Sequence, residues 1–301
     1  MTSRSALQTI IGKVVTFARG FAVCMVFVFV GAITAFSQAA QSKAALNLAL
    51  LRAAGHSRGA EVKSLLAQGA DPNVKMSDSN SGVNGYTPIM LLAMRRNPDA
   101  TAIQALQKAG GDINAFDPNG MTALIHSTLI GSVSEIRVLL VRGAKIDLTD
   151  SGGDTALMIA AQLGWDEIVR LLLDHGAKVD TQDSKGLTAL MLTTIGSHGP
   201  SALIKKAYTQ RLRAMRMLID KGANVNLKSN DGVAPLMLAA HHGNVEMVKA
   251  LLKKHADVTP RDAKGRTALQ IAMRRNQSPD VVRLLKGAVQ KSEKREFQVG
   301  K

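Results

Sequence analysis

The sequence predicts an all-α solenoid of about seven helix-turn-helix units with β-hairpin-like fingers, preceded by a signal peptide. Three observations carry this. Glycines recur 33 residues apart at Gly120, Gly153 and Gly186, and again at Gly232 and Gly265. Four of these five open a segment Gly-x-Thr-Ala-Leu. A second echo runs in step with the first: Gly143-Ala144, Gly176-Ala177, Gly222-Ala223 and the variant His255-Ala256. A fixed period of this size marks one supersecondary unit stacked on copies of itself. A lone unit cannot bury its apolar face, so it must stack. The third observation is that the first 39 residues have a composition of their own, taken up below. An open array offers a long binding surface rather than a catalytic pocket.

Each element follows from local chemistry. Thr122, Thr155, Thr188 and Thr267 stand where a hydroxyl accepts from the orphan N–H groups of a helix start. Pro88 falls one place later, where a missing N–H costs nothing. A short apolar helix follows, then a turn at Gly131, Gly164 or Gly243. Ile168, Val169, Leu171 and Leu172, and likewise Val248, Leu251 and Leu252, give the second helix its apolar stripe. The Gly of each Gly-Ala pair suits a left-handed C-cap. Asp117, Asp150, Asp183 and Asp262 begin the tight turn into the next unit.

This unit resembles the ankyrin repeat, whose core runs Gly-x-Thr-Pro-Leu-His, then Ala-Ala, Leu-Leu and Gly-Ala-x-x-Asn. The best copy spans Asp150 to Asp180, with Gly153, Thr155, Ala160-Ala161, Leu171-Leu172 and Gly176-Ala177 in place. Seven units can be traced: a cap at about 44–74, then units centred on Gly85, Gly120, Gly153, Gly186, Gly232 and Gly265. The family's Pro survives only as Pro88 and Pro235. Its His is replaced by Met90, Ile125, Met158, Met191, Met237 and Gln270. Methionine fills space apolarly and flexibly, so a softer array is expected.

The domain reading is 1–39 signal peptide, 40–288 repeat array and 289–301 basic tail. Arg4, Lys13 and Arg19 form a basic start, Gly20 to Phe36 carries no charge, and Ser37-Gln38-Ala39 offers small residues at a cleavage site. The alternative is an uncleaved single-pass anchor, because this run is at the short end of a membrane span. Cys24 is the only cysteine and lies in the leader, so the remainder needs no disulfide. The expected location is periplasmic. Without the leader the chain holds 35 basic and 23 acidic residues, a net of +12.

Three places break the period. The finger from Asp71 to Asn84 is long and polar. Gly186 to Gly232 is 46 residues, so this unit carries 13 extra, at about 197–209. Ser201 onwards can start a lengthened second helix reaching Asp220, with Lys205, Lys206, Arg211, Arg213 and Arg216 on it. The C-terminal end gathers Arg283, Lys286, Lys291, Lys294 and Lys301, which reads as a polar capping unit with a frayed end.

The motifs of enzymes are missing. No Walker sequence, GxSxG, HExxH or CxxC occurs. His241-His242 is the sole histidine pair, and no carboxylate or cysteine stands at ligand spacing beside it. No catalysis, cofactor, metal or small-molecule substrate is expected. The charge suits nucleic acid, but aromatic interleaving is absent, so none is expected. Membrane contact is expected only if the leader stays uncleaved.

In ankyrin arrays the partner meets the fingertips and the exposed side of each first helix. Carried over to this chain, those positions are Tyr86 and Arg95 at one end, and Met121, Leu129, Ile130, Gln162, Leu163, Leu187 and Ile195 in the middle. His241, His242, Arg266, Arg274 and Arg275 stand at the other end. The resemblance implies a non-catalytic module binding a protein partner with an acidic rim: an apolar centre for anchoring, basic groups around it. Such a module holds or protects an exported protein, for example an oxidative-stress enzyme, or neutralises a toxin as an immunity protein. The alternative is docking on anionic lipid or cell-wall polymer through the basic C-terminal end.

Overall fold

A computed structural model describes residues 41–77, 84–95, 99–195, 202–274 and 278–299. The expected leader, the centre of the long finger, residues 197–201 of the insertion and the last two residues lie outside the described residues. Among the described residues the regular structure is helical. Helix α1 covers residues 41–55. The others are α2 (Gly59–Ala67), α3 (Pro88–Ala93), α4 (Ala100–Lys108), α5 (Ala123–Ile130), α6 (Val133–Val141) and α7 (Ala156–Leu163). They continue with α8 (Asp166–Asp174), α9 (Ala189–Thr194), α10 (Ala202–Asp220), α11 (Pro235–His241), α12 (Val245–Lys253), α13 (Ala268–Arg274) and α14 (Pro279–Val299). They pair into seven units, as the repeat spacing requires. Inner helices stack on inner (α3, α5, α7, α9, α11, α13), and outer on outer from α6 through α8, α10 and α12 to α14.

The inner helices start as expected. Thr87, Thr122, Thr155 and Thr188 each accept from the N–H three residues on, at 3.2–3.4 Å. In the last unit Thr267 and Gln270 cap each other reciprocally. Pro88 and Pro235 occupy the first turn of their helices. Where the family carries His, Met90, Ile125, Met158, Met191 and Met237 are buried, so an apolar side chain takes that place in five of the inner helices. The glycines of the Gly-Ala echo all have positive φ, and so does His255, at +61°.

The fingers are tight turns rather than strands. Asp117, Asp150, Asp183 and Asp262 accept through one carboxylate oxygen from two backbone N–H groups of their own turn. Single bridges at Thr149–Thr155 and Gln182–Thr188 are the β-structure found among the described residues. Successive fingertips are laced by backbone bonds, such as Ser151 N–H to Asn119 and Ser184 N–H to Gly152. A second ladder runs beneath them. Within the cap, Asn47 of α1 accepts from the Asp71 N–H. From there on, Asn73, Asn114, Asp147, Asp180 and Asn226 each accept from a backbone N–H in the following unit. This is the work of the Asn in Gly-Ala-x-x-Asn: it holds consecutive units in register.

The insertion lengthens the outer helix of its unit. α10 reaches back past Gly164, the turn between α7 and α8, where an added Cβ would lie 3.0 Å from Arg211 and 3.3 Å from the Ala207 carbonyl. Arg211 is therefore buried rather than part of a solvated basic face. Burial and then the Glu246 carboxylate push the Tyr208 hydroxyl above its usual range, so the extension is also pressed against α12. Arg213 and Lys221 reach Asp166 and Asp174 on α8. At the C-terminus α14 runs without a break across residue 288 to Val299, where a frayed tail had been expected from 289.

Candidate binding face

The finger and inner-helix face divides into two zones. At the end of the inner helices furthest from the fingers, Leu129 of α5 and Leu163 of α7 are 44% and 43% exposed, and Trp165 is 36% exposed. Leu163 is the last residue of α7, directly before the left-handed Gly164, and Leu129 is the last but one of α5, separated from the left-handed Gly131 by Ile130. The indole of Trp165 lies over Gly131: a Cβ there would stand 3.0 Å from the ring. Gly131 thus supplies both the left-handed C-cap, at φ +77°, and the close approach of the ring. Ile130, Gly131, Val133, Arg137 and Trp165 line a groove there. Trp165 was not among the expected contact residues. Its signal was its place one residue beyond the turn glycine, where the other units carry Ser132 and Asn244.

At the finger roots Met121, Leu187 and, near the far end of α9, Ile195 are half-buried and pack on the core; Ile130, at the groove, is half-buried. Gln162 is exposed. Asp154 sits between two finger carboxylates. Burial, then Asp150, then Asp183 hold its carboxyl above the usual range, with Lys185 pulling the other way. The middle of the finger edge is therefore acidic.

Several expected contacts are placed elsewhere. Tyr86 is buried, not presented, because its ring packs 4.6 Å from that of His126. Arg266 grips the second oxygen of Asp262 through Nε and Nη2 at 2.9 and 2.6 Å. That bond comes first among the causes that hold the Asp262 carboxyl below its usual range, so Arg266 closes its own turn rather than standing free at a rim. His241 and His242 are half-buried with their rings edge-on at 5.0 Å, not both presented. Arg95 and Arg274 are exposed at opposite ends. Arg275 lies outside the described residues.

One arrangement resembles a catalytic dyad. His126 Nε2 bonds Asp117 Oδ2 at 3.0 Å. Both side chains are shut off from solvent, and the neighbouring Ser127 hydroxyl donates to the Ala93 and Ala123 carbonyls. Nothing can reach the pair, whose effect is to tie the finger to α5. Among the described residues no group of three metal-ligating side chains converges, and no helix is long and apolar enough to cross a membrane.

The family model described as ankyrin repeats (3 copies) matches residues 50–150, 128–204 and 202–294. The chain belongs to the ankyrin-repeat family. Ankyrin repeats are in general protein–protein interaction modules, typically without catalytic activity. A search of curated proteins returns no match.

Proposed function

We propose that this protein is an exported, non-catalytic binding module that holds a protein partner against the exposed ends of its inner helices. One observation carries the reading: Leu129 of one unit, and Leu163 and Trp165 of the next, stand exposed around the ends of their inner helices. An aromatic flanked by aliphatic side chains, open to solvent, is the anchor of an interface rather than a surface a monomer needs. Arg95 and Arg274 stand at either end of the array as steering charges for an acidic rim. The leader, cleaved after Ala39, delivers the array to the periplasm, where it shields or inhibits an exported protein.

The test is association with the stoichiometric partner recovered from an envelope extract. Leu129→Ser with Leu163→Ser should speed dissociation and weaken binding by about a hundredfold, because buried anchors set lifetime. Circular dichroism should be unchanged. Arg95→Glu with Arg274→Glu should instead slow association and reduce its salt dependence. A serine variant that binds the partner as the parent does would remove this face from consideration.

A further inference from the structure

The outer layer carries a second feature, unrelated to the inner-helix face. Between α12 and α14, and closed at one end by the loop after α12, runs a trough of about 760 Å³. Its floor is apolar: Leu252, Val258, Leu284 and Ala288. Its walls are cationic: Lys249 and Lys253 on α12, Arg283 and Lys291 on α14. Lys249 and Arg283 each have a carboxylate one turn away, Glu246 at 2.7 Å and Asp280 at 2.6 Å. Lys253 and Lys291 make no ion pair among the described residues. Asp257 is the single acidic residue lining the trough.

Two local sacrifices of backbone stability meet in this trough. Gly287 stands within the 21-residue helix α14, on the trough lining, where glycine destabilises a helix relative to alanine. An added Cβ there would meet nothing within 4 Å, so the core does not require the glycine. What it does is keep the trough open. At the mouth, His255 takes the left-handed conformation, φ +61°, at the position where five other units have glycine. A non-glycine residue in this region is strained and is characteristic of functional sites. Here it puts a histidine on the trough lining.

We propose that the α12–α14 trough is a second docking site, taking an acidic amphipathic segment of a protein partner. Its apolar side lies on Leu252, Leu284 and Ala288, and its carboxylates meet Lys253, Lys291 and His255. Charge complementarity selects the occupant: a second copy of this basic chain is repelled, and an apolar segment leaves the ammonium groups unpaired. A bilayer surface is disfavoured by shape. Ala256 and Val258 at the floor are 7% and 9% exposed, recessed where a flat surface touches only the wall tips. From Arg283 to Ser292 the trough runs about 14 Å, room for two and a half turns of helix lying between two others. The array then has two faces: one to hold the partner through Leu129, Leu163 and Trp165, the other to capture an acidic segment.

The probe is a fluorescein-labelled synthetic peptide with leucines on one helical face and glutamates flanking them, titrated into the full chain by anisotropy. Saturable binding is expected, weakening with salt. Lys253→Glu with Lys291→Glu should lower affinity by at least about tenfold. Gly287→Trp, which fills the trough without meeting the core, should block binding while leaving helicity and melting temperature as high or higher. Leu129→Ser with Leu163→Ser should leave peptide binding unchanged, so the two faces stand or fall separately. Hydrogen exchange should slow at 249–258 and 279–292 on peptide addition. The proposal is overturned if Gly287→Trp binds as the parent does. It is also overturned if the peptide does not bind while phosphatidylglycerol vesicles do, which would make the basic end a membrane surface.

Discussion

Glu135 is a residue out of place by every rule of burial. It is completely buried on α6, where the corresponding positions of other units hold Ile168 and Met247. Ser134 donates to one carboxylate oxygen at 2.8 Å, while the other has no partner. An unsatisfied buried polar atom costs about 1–3 kcal/mol, so Glu135→Met, of similar volume, should raise stability by that order in urea denaturation. Unchanged or lower stability would show the carboxylate to be satisfied in solution. His126 gives a pH signature. Burial pushes its imidazole below the usual range, opposed by the Asp117 carboxylate. In the unfolded chain it takes up a proton near about pH 6.5. The folded chain resists, so it binds fewer protons. The stability tied to neutral His126 is therefore complete above pH about 6.5 and is lost as pH falls from there through the lower folded value. His126→Gln keeps an N–H donor for Asp117 but does not titrate, and its melting temperature should vary less between pH about 7.5 and 5.5. Equal slopes for the two proteins would assign the dependence elsewhere.

At the scale of the element, glycines of like conformation are held for different reasons. Gly143 follows the C-cap of α6 at φ +86°, with nothing within 4 Å of an added Cβ. Gly164 has φ +76° as well, but is also overlain by α10 at Arg211 and Ala207. Gly143→Ala should cost only the left-handed backbone term, about 1–2 kcal/mol. Gly164→Ala should cost measurably more, because α10 must shift as well. Thermal denaturation of the two variants side by side decides it; equal losses would mean that α10 does not pack tightly on that turn. The comparison also addresses the insertion. Its described part, 202–209, is neither a loop nor a free basic helix: Tyr208 and Arg211 anchor it across two neighbouring units.

On the scale of the whole molecule, the array is a linear sum of units locked by two hydrogen-bond ladders, fingertip to fingertip and loop to loop. Its excess positive charge is unevenly placed. Asp150, Asp154 and Asp183 make the central finger edge acidic, Arg266 is consumed by Asp262, and exposed lysines accumulate on the outer helices α12 and α14. Positive charge is therefore concentrated at the ends of the finger face and on the outer layer, not in a continuous basic rim.

The sequence by itself determined the unit, its count and its caps. Gly, Asp and Thr recur at fixed spacing because each satisfies backbone groups within its own repeat, and such local demands are visible in a single unit. The lengthened helix after the 13-residue insertion was legible for the same reason: apolar residues from Ala214 to Ile219 keep helical spacing. What only the tertiary structure decided is which side chains face outward. Tyr86 turns inward because His126, 40 residues away, offers its ring; Arg266 is occupied because Asp262 has a second oxygen to fill. Trp165 lies exposed over the preceding unit because Gly131 leaves room beneath it. The repeat fixes where a residue sits within its unit, whereas its exposure depends on the unit stacked beside it, and that neighbour is met only when the chain is folded.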